Sequence, residues 1–356
     1  MRTLAKSAFE PMVTLKTIAE KAGVSVHAVS RVLNGQNKEN RPSAIARAEK
    51  IRTIARELGY RPNAAAQAMK QGAFKSIMLL MSHDVHTAFL SNTTMVSMQE
   101  MLNSYGYRLM FTILPPRMEA ETEFPRFFQE NYVDGIVIGI VKAVPDWLGE
   151  LLDNMHVPKV WLGSKKEFNC VRHDDLKSAR QGTERLIMRG HHRIVYVDLI
   201  MANHHLDRGH FSNFDRETGY RQAMEEANLT PVVIRPDEYV DEGNLTHYVD
   251  EAVLSRHEPT AVICYGMHSG KALLYACARR RISIPDELSM LTWLHHETFE
   301  NDMLVSGFMP SNQNIGKLAA KAICEQIEQK ETRRPTIVVP FAFCEGDTFG
   351  DVPSRL

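Results

Sequence analysis

The apolar residues of the first sixty positions recur every three or four residues, which is the spacing of helices packed on one side. Thr14 is a suitable N-cap for a first helix and Ser25 for a second, because their hydroxyls can accept from free backbone N–H groups. Gly23 lies between them and can adopt the backbone of a tight turn. The predicted apolar faces are formed by Leu15, Ile18 and Ala19 in the first helix and by Val29, Val32 and Leu33 in the second.

The second helix directs a mixed polar face away from this core, formed by Val26, His27, Ser30 and Arg31. Such a face is typical of a recognition helix, since its side chains can reach base edges in the major groove while the apolar face holds the helix in place. A third helix is predicted with Ser43 as its cap and an apolar stripe of Ile51, Ile54, Ala55 and Leu58. The pattern predicts an all-α helix-turn-helix headpiece, although any short amphipathic helix pair joined by glycine would share it.

From residue 75 to 344, apolar strand-like runs alternate with amphipathic helical runs. One set of predicted strands covers 77–81, 107–114, 135–141 and 159–163, and a second covers 194–200, 232–234, 260–265 and 288–294. Strands separated by helices predict an α/β body of two doubly wound parallel-sheet subdomains. Because ligands in such folds bind at the carboxyl ends of strands, a small molecule is expected in the cleft between the subdomains.

Charge is distributed unevenly along the chain, although the formal net charge is only −1. Residues 1 to 75 carry 14 Lys and Arg against 5 Asp and Glu, which leaves 28 against 38 for the remainder. A headpiece of +9 concentrates the attraction for phosphate where the helix-turn-helix pattern lies, and a body of −10 is repelled by DNA. The charge therefore favours DNA binding by the headpiece.

The segment after the third helix, GYRPNAAAQAMKQG at 59–72, resembles the hinge of the LacI/GalR (lactose-repressor) family of bacterial transcription regulators. Further markers follow in order: LGYRPN at 58–63, HDVHTAFL at 83–90, VDGIVI at 133–138, VPKVWLG at 157–163, DDLKSARQGTERLIMRGHHRI at 174–194 and RETGYRQAM at 216–224. The resemblance covers essentially the whole chain. It implies an extension at 1–12, a headpiece at 13–61, a hinge helix and linker at 62–74, a two-lobed, periplasmic-binding-protein-like effector and dimerisation domain at 75–344, and a tail at 345–356.

The resemblance also implies which residues contact DNA. Candidates for base reading are Leu15, Val26, His27 and Arg31, and candidates for holding the DNA backbone are Thr14, Ser25, Ser30, Asn34, Tyr60 and Asn63. Paired hinge helices that include Ala66 would enter the minor groove, where Met69 stands at the family's leucine wedge position. Met69 could instead be a packing residue between linker and body. The stretch from Gly35 to Tyr60 is about four residues longer than is usual in the family, so the polar loop at 36–41 is enlarged.

At the effector cleft the sequence departs from sugar-binding members of the family. Those members have acidic residues at the ends of two of the strands. At the matching positions this chain has Tyr265 with Gly266 and the segment from Thr292 to His296. Arg216 matches the family's effector-facing arginine, and Asp84 and Phe89 match positions at the mouth of the first lobe; Pro310 and Gln313 are alternatives for a family glutamine. An aromatic, basic pocket is predicted from Trp161, Arg216, Tyr265, His268, Trp293 and His295. Such a pocket suits an anionic or flat ligand, and the alternatives are a pocket that has lost its effector or an effector bound elsewhere.

Other motifs do not indicate catalysis or a cofactor. GMHSGKA at 266–272 is similar to a phosphate loop but is one residue short and has Ala272 in place of the hydroxyl, so a helix start is predicted. The fifteen histidines lack the spacing of a zinc site, and the stretch from His204 to His210 is predicted to be a polar surface loop. Without a nucleophile or paired-carboxylate constellation, we expect no enzyme, no cofactor and no metal.

Five scattered cysteines indicate a reducing compartment, and the N-terminus has no sustained apolar run. We therefore expect a cytoplasmic, nucleoid-associated protein. The sequence favours a homodimeric or larger transcriptional regulator, more specifically a repressor, that binds a pseudo-palindromic operator on double-stranded DNA and responds to a small-molecule effector. The alternatives are a two-lobed small-molecule binding protein of the transport type and an enzyme built on doubly wound domains.

Overall fold

The structure is a computed structural model that describes two separate compact units. The described residues are 13–35, 41–63, 68, 72–81, 90–114, 133–140, 146–200, 210–238, 240–300, 302–330 and 333–354. The units are Met1–Phe74 and Lys75–Leu356. Among the described residues, no helix combines the length and apolar character that a membrane span requires.

The first unit contains the two predicted helices of the helix-turn-helix, α1 (Leu15–Ala22) and α2 (Val26–Leu33). The hydroxyl of Thr14 accepts from the amide of Thr17 at 3.3 Å, and that of Ser25 accepts from the amide of Ala28 at 3.2 Å. Gly23 ends α1 with a φ of 69°, a conformation that an L-residue rarely adopts. The capping residues and the glycine turn expected from the sequence are confirmed.

The third helix, α3 (Pro42–Glu57), begins earlier than expected. The prediction that Ser43 caps it is wrong, because Arg41 occupies the N-cap position and makes no side-chain capping bond. Proline suits the first helical position, where its missing N–H is not needed, and it draws Ser43 inside the first turn. The three helices share one core in which Ile18, Val29 and Ile51 are fully buried.

The second unit has two lobes, each built on a six-stranded sheet. The first lobe has strands in the order β13, β5, β4, β3, β1, β2, and all of its pairings are parallel. Its strands are β1 (Ser76–Met81), β2 (Arg108–Ile113), β3 (Gly135–Gly139), β4 (Lys159–Leu162), β5 (Cys170–His173) and β13 (Ile337–Val339). Its helices are α4 (Asn92–Ser104), α5 (Asp146–Asn154) and α10 (Asn312–Gln329).

The second lobe has strands in the order β14, β12, β9, β8, β6, β7, and only the pair of β12 and β14 is antiparallel within this sheet. Its strands are β6 (Ile194–Val197), β7 (Val232–Ile234), β8 (Ala261–Cys264), β9 (Ser289–Trp293), β12 (Gly307–Met309) and β14 (Ala342–Cys344). Its helices are α6 (Asp175–Met188), α7 (Phe211–Glu226), α8 (Leu245–Val249) and α9 (Met267–Arg280). A π-helical turn, Asp250–Ser255, continues α8, and a hairpin joins β10 (Phe299–Glu300) to β11 (Met303–Leu304).

All eight runs predicted as strands form strands, and each belongs to the sheet expected for its set. The fold class predicted from the sequence is therefore confirmed. The chain passes between the lobes after β5, after β12 and after β13. These crossovers make the carboxyl ends of the central parallel strands of both sheets face a common cleft.

Two further segments, GMHSGKA at 266–272 and residues 345–354, both belong to the second lobe. GMHSGKA begins a helix, as predicted, because α9 starts at Met267 with Gly266 as its N-cap. Residues 345–354 pack on the second lobe, where Thr348 is fully buried and the backbone oxygen of Gly350 contacts Nε2 of His191 at 3.2 Å. This segment extends the core of the lobe beyond β14.

Candidate functional sites

The outer face of α2 is free of the headpiece core. Val29 and Val32 pack into the headpiece core. Val26, His27 and Arg31 lie on the opposite side of the helix and are exposed, Val26 to 44%. Ser30 is half-buried, and its hydroxyl accepts from the side-chain amide of Asn34 at 3.1 Å. An exposed valine beside polar donors can contact a thymine methyl group and neighbouring base edges.

The residues predicted to hold the DNA backbone surround this face in different ways. Thr14 and Ser25 are exposed N-caps, Leu15 is half-buried, and Asn63 is exposed. Tyr60 packs against the headpiece core, and its amide donates to the backbone oxygen of Ala55 at 2.9 Å. Burial raises the pKa of the Tyr60 hydroxyl, which keeps it protonated and able to donate to a phosphate.

Several predicted site residues lie outside the described residues, namely Ala66, Met69, Asp84 and Phe89. Within the hinge, Ala68 is helical and buried, and its backbone oxygen accepts from the amide of Gly72 at 2.8 Å. The minor-groove role of the hinge therefore stays a prediction.

In the second lobe, Arg216 is the centre of a buried group that we call the Arg216 box, formed by Arg216, Asp175, Tyr265 and Trp293. Its Nε donates to Oδ1 of Asp175 at 2.7 Å, and its Nη1 donates to the backbone oxygen of Tyr265 at 2.6 Å. The guanidinium carbon lies 4.7 Å from the ring centre of Tyr265 and 4.4 Å from that of Trp293. Burial opposes the charge of Arg216, but the carboxylate of Asp175 together with Tyr265 and Tyr196 outweighs this effect, and the pKa of the guanidinium is raised. Cation–π contact and ion pairing together fix the arginine.

Trp293 and Tyr265 support this arginine from different directions. The Trp293 side chain is almost fully buried, its Nε1 donates to Oγ of Ser178 at 3.1 Å, and its ring stacks on that of Phe308 at 5.6 Å. The hydroxyl of Tyr265 is hydrogen-bonded to Oγ of Ser212 at 2.7 Å. Each ring of the box is therefore held by its own hydrogen bond.

The other predicted pocket residues have separate positions. His295 follows β9, and burial, together with the nearby charge of Arg216, lowers its pKa. His268 lies half-buried in the first turn of α9. Trp161 is buried in the core of the first lobe with Lys166 over its ring at 4.7 Å, apart from the box. The structure thus groups Arg216, Tyr265, Trp293 and His295.

Sequence reasoning missed three residues at the cleft: His173, Asp175 and Phe341. The His173 ring lies 4.7 Å from that of Phe341, which in turn lies 5.9 Å from the guanidinium carbon of Arg216. Nε2 of His173 is buried, and among the residues that the structure describes it has no hydrogen-bond partner. Burial lowers the pKa of His173 to about 4, and Asp175 only partly opposes this shift. The sequence signal that could have indicated His173 and Asp175 is the run of three polar residues, His-Asp-Asp at 173–175, which ends β5 and begins α6.

His210 is also placed differently from the prediction. The expectation that it belongs to a polar surface loop is wrong, because it caps α7: its Nδ1 accepts from the amide of Ser212. Its Nε2 contacts the backbone oxygen of Gly163, in the first lobe, at 2.9 Å. Burial lowers the pKa of His210 and keeps the ring neutral.

The combination of these parts defines a class of protein: a helix-turn-helix DNA-binding regulator that has a two-lobed ligand-binding body. The family described as bacterial regulatory proteins, lacI family, matches residues 14–63, and the family described as periplasmic binding protein-like domain matches residues 183–349. The chain belongs to the LacI family and is a DNA-binding transcriptional regulator with an effector-binding domain.

Curated relatives match nearly the whole chain. The HTH-type transcriptional repressor PurR of Vibrio campbellii is 27% identical over 347 residues, which are 92% of this chain and 98% of the relative. The HTH-type transcriptional regulator RegA of Clostridium saccharobutylicum is 23% identical, over 94% of this chain and 98% of the relative. Both relatives are named as transcriptional regulators.

Solved structures support the fold. The Lac repressor dimer bound to operator and the anti-inducer ONPF has a TM-score of 0.76 at 16% identity and covers 96% of this chain and all of its own. The transcriptional regulator CelR in complex with cellobiose has a TM-score of 0.62 at 20% identity, over 94% of this chain and 99% of its own. At these identities the likeness concerns the fold.

Proposed function

We propose that this protein is a homodimeric repressor that binds a pseudo-palindromic operator on the cytoplasmic nucleoid and is controlled by a small molecule in its interlobe cleft. The observation that carries the DNA-binding part is the exposed outer face of α2, within an N-terminal segment, residues 1–75, that has an excess of nine positive charges. Charge brings the headpiece to DNA, and Val26, His27 and Arg31 then read base edges. The names of the relatives favour repression over activation.

Dimer formation is supported by the edge of the first-lobe sheet. Strand β2 ends that sheet, and it exposes Met110, Phe111 and Ile113, while Val96 on α4 is also exposed. A cluster of exposed apolar side chains on an edge strand is typical of an interface. A second subunit that covers this edge would give the protein two headpieces, and a two-fold symmetric protein requires a symmetric operator.

The cleft favours a ligand that brings hydrogen-bond acceptors. Among the described residues at the box, Asp175 is committed to Arg216, so this wall offers no free carboxylate to a sugar hydroxyl. The rings of Tyr265 and Trp293 both pack against the guanidinium, so a ligand would meet its remaining N–H groups. His173 adds a buried imidazole nitrogen that has no hydrogen-bond partner in the described part of the chain. An anionic or flat acceptor fits these groups better than a neutral hexose.

The proposed control acts through the hinge. The hinge helix that the sequence predicts within 62–74 has about eight residues, too few to be stable alone, so it should form only when it packs against a second hinge and DNA. A ligand with different affinities for two lobe arrangements would shift the balance between them and so change the spacing of the hinges. The ordered hinge would bind the operator, and the disordered hinge would release it.

Selection of genomic fragments by the full-length protein at physiological salt tests this proposal. A repressor should enrich a few fragments that share a two-fold symmetric motif, whereas a transport-type binding protein or an enzyme would enrich none. Selected fragments should lie near promoters. A thermal-shift screen of phosphorylated sugars, nucleobases and neutral sugars then addresses the ligand, and stabilisation by neutral hexoses alone would contradict the cleft chemistry proposed above.

A further inference from the structure

Among the described residues, three contacts between the two lobes involve the start of α7. Lys165, in the loop after β4, pairs with Asp215 at 2.5 Å. Nε2 of His210 contacts the backbone oxygen of Gly163 at 2.9 Å, and the guanidinium carbon of Arg172 lies 5.8 Å from the ring centre of Phe211. The residues of the first lobe are in the segment from β4 to β5, and those of the second lobe are in the first turn of α7 and its N-cap.

The tautomer of His210 determines which atom donates in its contact with Gly163. Nδ1 accepts from the amide of Ser212 at 3.3 Å, so in the neutral ring the proton is on Nε2. The His210 ring therefore donates across the cleft to the carbonyl of Gly163. Asp215 is almost fully buried, with only 6% of its side chain exposed, so separation of Lys165 from it would leave a poorly solvated carboxylate.

A chain of hydrogen bonds connects these contacts to the Arg216 box. Oγ of Ser212 lies 2.7 Å from Nδ1 of His210 and 2.7 Å from the hydroxyl of Tyr265. Tyr265 in turn covers one face of Arg216 and accepts from it through its backbone oxygen. A displacement of Tyr265 would thus reach His210 through one serine hydroxyl.

We propose that Lys165, His210 and Asp215 form an interlobe latch, and that the bond between Ser212 and Tyr265 couples this latch to the Arg216 box. The latch stabilises the close arrangement of the lobes. A ligand that moves Tyr265 weakens the contact of His210 and so changes the equilibrium between close and open lobes. This inference concerns regulation of the cleft and rests on the proposed function for its biological role.

Distance measurements between the lobes test the latch in the full-length protein without DNA or ligand. Spin labels are placed on cysteines introduced by Glu100→Cys in α4 and Glu225→Cys in α7, both exposed positions, in a Cys344→Ser background, because the other four native cysteines are buried. Labelled subunits are diluted with unlabelled protein, and double electron–electron resonance gives the distance distribution within a subunit.

Lys165→Met keeps the length of the side chain and removes its charge, and it should add a longer-distance population that is minor in the parent protein. His210→Ala should add the same population. If loss of the α7 cap prevents this variant from folding, Lys165→Met still tests the latch, because Lys165 is exposed. The control is Arg180→Met, which breaks the ion pair of Arg180 with Glu226 inside the second lobe and should leave the distances unchanged. A parental distribution in Lys165→Met would overturn the latch.

Tyr265→Phe tests the coupling, because it removes the hydroxyl and keeps the ring over Arg216. It should add the longer-distance population to a smaller extent than Lys165→Met does. If Tyr265→Phe kept the parental distance distribution while Lys165→Met showed the longer-distance population, the coupling would be overturned. Because no DNA is present, failure of the proposed repressor function would be seen in fragment selection and not in these distances.

Discussion

Arg216 occupies a site in which two aromatic rings pack against its guanidinium and a buried carboxylate matches its charge. The side chains of Arg216 and Asp175 are only 12% and 4% exposed. A buried ion pair of this kind contributes little net stability against an apolar replacement, but the loss of one partner leaves a charge that water cannot solvate. The pair is therefore expected to behave as a unit.

Arg216→Met should lower the free energy of unfolding of the body by about 3–5 kcal/mol, because Asp175 would keep a buried charge. The double variant Arg216→Met with Asp175→Asn should recover part of this loss. Calorimetric unfolding of the full-length protein measures both. A double variant as unstable as the sum of the two single variants would contradict the pairing.

His173 should make the body sensitive to acid. Its pKa is about 4 in the folded protein and near 6.5 when exposed, so the unfolded state takes up a proton first as the pH falls. Stability should then decrease between pH 6.5 and 4, by up to about 1.4 kcal/mol per pH unit for one such group. His173→Gln should flatten the dependence of melting temperature on pH. His247→Gln, at an exposed position, is the matched control and should retain the parental slope.

The helices and long strands could be predicted because their apolar periods extend over several residues. The predicted strand at 194–200 and the observed β6 differ only at their ends, and Gly23 marked the helix-turn-helix turn directly. The strands β5, β12, β13 and β14 were not predicted. Strand β5 ends in the polar pair Arg172 and His173, and the other three have only three residues each, a length at which an apolar run such as that of β7 can be recognised but a period cannot.

The same limit applied to the candidate sites. Arg216, Tyr265 and Trp293 were expected at the cleft because each is next to a long strand or within a recognisable motif. Asp175 and His173 were not expected there, since their place depends on β5 and its crossover into α6. The interlobe contact of His210 could not be predicted, because it depends on the relative position of two lobes that are distant in sequence.

The recognition helix α2 is expected to distinguish specific from non-specific DNA. Arg31→Ala should weaken binding to a selected operator by about 1–3 kcal/mol and leave non-specific binding nearly unchanged, if Arg31 contacts a base edge. The control is Arg52→Ala, which removes one positive charge from α3 at an exposed position. Fluorescence anisotropy with operator and scrambled duplexes measures both affinities. Equal losses on the two duplexes would assign Arg31 to the phosphates.

The edge strand β2 is expected to form part of the dimer interface. Phe111→Asp places a charge on the exposed apolar edge and should shift the protein from dimer to monomer in sedimentation experiments, because burial of an unpaired carboxylate is unfavourable. Met188→Asp serves as the control, since Met188 is equally apolar and more exposed but lies at the end of α6 in the other lobe. A dimer that tolerates Phe111→Asp would place the interface elsewhere.

The chain combines a basic headpiece with an acidic two-lobed body, and this uneven distribution of charge agrees with the proposed mechanism. In the proposed mechanism, the headpiece supplies affinity for DNA, the outer face of α2 supplies selectivity, and the cleft supplies control. The body cannot add affinity through charge, because its net charge repels phosphate. Under the proposed mechanism, specific binding comes from two headpieces that are held at the correct spacing.

The ratio of affinities for a selected genomic fragment and a scrambled fragment of the same composition, measured for the full-length protein at physiological salt, tests DNA recognition most directly. A sequence-specific regulator should prefer the selected fragment by at least about a thousandfold. Binding should also weaken steeply with added salt, because headpiece cations displace counterions from the DNA. Equal affinity for the two fragments would contradict the conclusion that this protein reads an operator.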